Sequence, residues 1–107
     1  MKINTYTLKY ATQRELEMEL NYQVASARVR SDPALVVVPA GSSGEEKSIQ
    51  AASKILRALK RQGRIQLFEM ASALTEASTV EAVYLINKYP DIVELVGNEP
   101  GAIVIKL

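Results

Sequence analysis

Cysteine, histidine and tryptophan are absent from this 107-residue chain. Without cysteine there are no disulfides, thiolate metal sites or thiol nucleophiles. Without histidine the commonest general base and the commonest metal ligand are missing, and so is every Ser-His pair. The expectation is therefore a protein that is not an enzyme, with no catalytic residue, no metal and no cofactor. No run of 18 apolar residues occurs, which predicts no membrane span. The opening Met1-Lys2-Ile3-Asn4-Thr5 is polar where a signal peptide needs an apolar core, so a cytoplasmic location is expected.

Apolar residues make up 48% and charged residues 23%, the balance of an ordinary globular chain. The length predicts a single domain over 1–107 that can bury a core without staples. Charge is unevenly spread. Residues 1–64 hold eleven Lys or Arg against six Asp or Glu, and residues 65–107 hold two against six. A dipolar surface of this kind suits a directed electrostatic partner.

Residues 2–10 alternate, with Tyr6, Leu8 and Tyr10 on one side, and read as a strand. Residues 12–30 carry two patterns at once. Thr12 with Glu15 is a capping-box pair, and Leu16, Leu20, Val24 and Ala27 form a helical stripe. Yet Leu16, Met18, Leu20, Tyr22 and Val24 also alternate strictly with polar residues, which places a strand in the first half. Leu35-Val36-Val37-Val38 is a continuous apolar run, as in a central strand buried on both faces. A helix follows, capped by Ser43 or Gly44, with Ile49, Ala52, Leu56 and Leu59 on its buried stripe and Gly63 at its end. Ile65–Glu69 reads as a strand, Leu74 to Tyr89 as a helix stopped by Pro90, and Ile92–Val96 and Ala102–Ile105 as two strands joined by the turn Gly97-Asn98-Glu99-Pro100-Gly101.

Gln50, Lys54, Arg57, Arg61 and Arg64 succeed one another at spacings of four, three, four and three. On a helix that spacing gathers them on one face opposite the apolar stripe, with Lys47 and Lys60 at its border. Cations so arranged can follow a phosphate backbone and release its counterions; an ordinary solvated helix face has the same pattern. Lys54, Arg57, Lys60, Arg61 and Arg64 are the candidate nucleic-acid contacts. The loop Gly41-Ser42-Ser43-Gly44 lacks the Gly-Lys-Ser/Thr ending of a phosphate-binding loop, and Glu45 and Glu46 would repel an anion there. Tyr6 and Tyr10 could stack bases if exposed, or cover the core.

The order strand-helix-strand-helix-strand-strand from residue 34 resembles the Alba superfamily, and within it the stage V sporulation protein S-like proteins. The residues that carry the resemblance are Ser42-Ser43, the turn Arg61-Gln62-Gly63-Arg64-Ile65-Gln66, and Ala73-Leu74-Thr75-Glu76-Ala77. It spans residues 34–107 and implies a homodimer that binds DNA or RNA. The expected fold is an α/β two-layer sandwich with an Alba-like β-α-β-α-β-β core over 34–107 and a β or β-α extension over 1–33. The expected function is nucleic-acid binding through the basic helix face. The alternative is a regulatory or scaffold module that binds protein, or that self-associates by pairing its acidic second half with the basic half of a neighbour. Near-neutral net charge favours that alternative, and so does the lack of lysine or arginine in the loops Gly41-Ser42-Ser43-Gly44 and Glu69-Met70-Ala71-Ser72.

Overall fold

The computed structural model describes residues 3–107. Its elements, in chain order, are β1 (Thr5–Tyr10), α1 (Gln13–Val29), β2 (Ala34–Gly41), α2 (Glu45–Arg61), β3 (Leu67–Met70), α3 (Ala71–Glu76), α4 (Val80–Lys88), α5 (Ile92–Val96) and β4 (Ile103–Lys106). The strands form one mixed sheet in the order β1-β2-β4-β3. β1 is parallel to β2, and β4 runs antiparallel to both β2 and β3.

The apolar run in β2 is explained by its place inside the sheet. Leu35 and Val37 join a core cluster beneath α1 and α2, whereas Ala34 and Val36 join a second cluster with residues of α3, α4 and α5. β4 divides in the same way, Ile103 and Ile105 to one side and Val104 to the other. The α/β class is as expected: α1 and α2 form a layer on one face of the sheet, and the three short helices cover the other.

Three sequence expectations are corrected. The first half of 12–30 is helix rather than strand. The Thr12 hydroxyl accepts the Glu15 N–H at 3.2 Å, and the Glu15 carboxylate accepts the Ala11 N–H at 2.9 Å, so the free N–H groups of the first turn are satisfied locally. Leu16, Leu20, Val24 and Ala27 are buried. The alternation arose because Met18 and Tyr22 are apolar but lie on the outer face, 63% and 65% exposed.

Ile92–Val96, expected as a strand, is the helix α5. Its buried residues Ile92 and Val96 are one turn apart, and the Leu95 N–H donates to the Asp91 carbonyl at 3.0 Å. Residues 97–101 therefore link a helix to β4 instead of turning a hairpin, and the family order from residue 34 is not what the chain adopts. Finally, the expected helix from Leu74 to Tyr89 is two. Ala77 takes the left-handed conformation (φ 49°), and a new helix starts where the Thr79 hydroxyl accepts the Ala82 N–H at 3.0 Å. The same hydroxyl donates to the Glu69 carboxylate at 2.8 Å, which fastens α4 to β3.

Tyr89 closes the second cluster at 7% exposure, and its hydroxyl has no hydrogen-bond partner among the described residues. Burial, with the neighbouring Tyr84 adding to it, raises the phenol pKa above its usual value of 10.0. The unfolded chain releases this proton near pH 10 while the folded chain retains it, so stability falls as pH climbs from there through the folded pKa. Tyr89→Phe is expected to raise stability at neutral pH by about 1 kcal/mol, because it removes an unpaired buried hydroxyl. It also flattens the alkaline loss. Denaturant unfolding at pH 7 and pH 10.5 checks both effects, where the pH values are roughly those bracketing tyrosine ionisation.

Candidate nucleic-acid interface

Helix α2 has a buried side that includes Ala52, Ile55, Leu56 and Leu59, which fixes the opposite side outward. Lys54, Arg57, Lys60, Arg61 and Arg64 are all exposed. Among the described residues the ion pair is Arg30 with Asp32 at 3.0 Å, and none of the five has a carboxylate within ion-pair distance. Lys60 and Arg61 occupy the last turn, where cations complement the negative end of the helix dipole. This accounts for two of the five without invoking a ligand.

Arg64 is placed by the way α2 ends. The Arg64 N–H donates to the Leu59 carbonyl and the Gly63 N–H to the Lys60 carbonyl, each at 3.0 Å. That double closure needs a residue in the left-handed region, and Gly63 supplies it at φ +74°. The turn swings Arg64 across to α1. Its guanidinium donates to Asn21 Oδ1 at 2.9 Å, and its carbonyl accepts from the Arg28 guanidinium at 3.2 Å.

The five cations consequently divide. Lys54, Arg61 and Arg64 line an open groove of about 450 Å3 between α2 and α1, facing Gln13, Glu17 and Asn21. Arg57 and Lys60 are not among its lining residues. A second hollow of about 340 Å3 shares Arg64 and adds Arg28, Gly63 and Gln66. Arg28 is thus a cation of this surface that the sequence did not single out. It would have been found by reading 12–30 as a helix, because α1 and α2 each lead into a strand of the same direction and so end at the same edge of the sheet. Lys106 adds nothing to the exposed surface. It is buried on β4, its ammonium donates to the Pro33 carbonyl at 3.3 Å, and burial, with the charge of Lys88, lowers its pKa.

The tyrosines weighed as stacking platforms are fastened down. The Tyr10 hydroxyl donates to Ser48 Oγ at 3.0 Å, and the Tyr6 hydroxyl accepts from Arg30 at 3.1 Å. Both rings pack against the core cluster under α1 and α2. Ser48 also accepts the Gly41 N–H at 3.0 Å. A Cβ at Gly41 would come within 2.5 Å of the Tyr10 ring, so this glycine permits the close approach. The start of the Gly41–Gly44 loop is therefore tied to the protein's own side chains, with Glu45 and Glu99 lining the hollow beside it.

Among the described residues there is no cluster of three or more acidic side chains able to hold a metal ion, and no helix is long and apolar enough to cross a membrane. In comparisons with known proteins, the chain matches no family model, no curated sequence and no solved structure.

Proposed function

We propose that the protein binds nucleic acid by contacting phosphates through the outer face of α2. Lys54, Arg61 and Arg64 act along the groove, Arg28 at its end, and Arg57 and Lys60 on the outer flank. The observation that carries this reading is an exposed set of cations at helical spacing with no carboxylate partner among the described residues. Such contacts fix position on a backbone without reading sequence, so single- and double-stranded DNA and RNA are all candidate ligands. The Alba resemblance rests on the sequence motifs, and α5, a helix where that order has a strand, departs from it. In this reading the protein has no catalytic role, and nucleic acid is its partner.

Chemical-shift mapping during titration with a labelled duplex and a single strand tests the assignment. Perturbations concentrated at Asn21, Arg28, Lys54, Arg61 and Arg64 are expected. Perturbations absent, or centred on α4 and α5, count against it. A second reading, a protein-binding module, is favoured by the apolar outer face of α1.

A further inference from the structure

The open groove between α2 and α1 has two chemically different walls. Lys54, Arg61 and Arg64 stand on one side. Gln13, Glu17 and Asn21 stand on the other, at spacings of four that gather them on one flank of α1. Asn21 is committed to the fold. Its amide donates to the Glu17 backbone carbonyl at 2.8 Å, and its oxygen accepts from Arg64 at 2.9 Å, which holds that guanidinium in place. Glu17 is exposed, and among the described residues its carboxylate pairs with none of the three cations that share the groove. The groove therefore carries positive charge on one wall and an unpaired carboxylate on the other.

We propose that this groove holds a single strand, with its phosphates on the α2 wall and its base edges turned to α1, and that Glu17 selects bases bearing an exocyclic amino group. The inference rests on the reading of α2 as a phosphate surface and deepens it. A carboxylate beside a phosphate track is repulsive unless the ligand brings it a donor. Cytosine, adenine and guanine each offer an amino N–H, whereas thymine and uracil offer a carbonyl oxygen that a carboxylate repels. A single strand can splay its bases and present those edges. A duplex keeps its base edges inside the grooves, behind the phosphates, so it meets the cations and gains nothing from Glu17. Helices α1 and α2 pack side by side. The axes of packed helices lie about 8–10 Å apart, so one nucleotide can touch both walls. Gln13 both donates and accepts, and so discriminates little between bases.

Labelled oligo(dC) and oligo(dT) of about eight nucleotides, within the span of a single-strand site, are titrated at about 50 mM salt beside a mixed-sequence duplex. The matching RNA tracts, oligo(rC) and oligo(rU), show whether the sugar matters. The cytosine tract is expected to bind about fivefold tighter than the thymine tract, from one charge-assisted hydrogen bond per site. Glu17→Gln should bring the two within about twofold, because an amide can donate to a carbonyl as well as accept from an amino group. Glu19→Gln removes the same charge from α1 outside the groove, and should leave the preference intact. Both side chains are exposed, so neither change should alter the helical circular dichroism. Equal binding of the two tracts, or a preference that Glu17→Gln leaves in place or Glu19→Gln also removes, overturns this inference while the phosphate surface stands. No binding of any strand or duplex overturns both.

Discussion

Leu20→Ala is expected to lower stability by about 2–5 kcal/mol, and Met18→Ala, two residues away, by no more than about 0.5 kcal/mol. Leu20 is 0% exposed and packs in the cluster that joins α1, α2 and the sheet, alongside Leu16, Val24, Leu35 and Leu56. Truncation there removes buried methyl groups and leaves a cavity that a four-stranded sheet cannot close by collapsing. Domains of this size are stabilised by roughly 5–15 kcal/mol in all, so the loss is a large share of the total. Met18 contacts solvent over most of its surface, and its truncation costs little. Urea unfolding of the two variants, followed by circular dichroism at low protein concentration, measures the difference. In an alternating strand Met18 and Leu20 would share one buried face and lose comparable amounts. Comparable losses would therefore contradict α1 as a helix.

The largest functional effect is expected from Lys54→Ala, Arg61→Ala and Arg64→Ala together. Removing three phosphate contacts should weaken nucleic-acid binding by on the order of a hundredfold at about 50 mM salt, because each contact releases close to one condensed counterion. Arg57→Ala with Lys60→Ala removes two contacts outside the groove, and the loss should be nearer tenfold. All five side chains are exposed, so both variants should unfold within about 0.5 kcal/mol of the parent. Arg64→Lys keeps the charge and should keep most of the affinity, even though it loses the guanidinium that donates to Asn21. Equal losses in the triple and double variants would mean that the groove is not the centre of the interface.

These residues also show where the sequence could be read and where it could not. Helix α2 was legible because every local signal agreed: a loop before it, acidic residues in its first turn, one apolar stripe, cations in its last turn and a glycine after it. β2 was legible because a central strand buried on both faces needs an uninterrupted apolar run. α1 was ambiguous for a physical reason. A helix with apolar residues on two opposite faces displays period 3.6 along each stripe and period 2 where the stripes interleave, as Leu16, Met18, Leu20, Tyr22 and Val24 do. α5 was misread because five residues, three of them β-branched, are too few to separate one helical turn from a short strand. Only the tertiary setting, with Ile92 and Val96 in the same cluster, decides it. Of the candidate surface, the α2 cations were visible in the sequence. Their division between groove and outer flank, and the addition of Arg28, required knowing that α1 and α2 end at the same edge of the sheet.

The most direct measurement of the central claim is the equilibrium binding constant of the parent protein for a labelled DNA duplex across a salt series. Six phosphate contacts predict that log K falls linearly with log salt with a slope of about −5 to −6, and that the triple Lys54, Arg61, Arg64 variant is shallower by about three. No binding at low salt, or a slope near zero that the triple variant leaves unchanged, would contradict the account and leave the α2 cations as a solvated helix face.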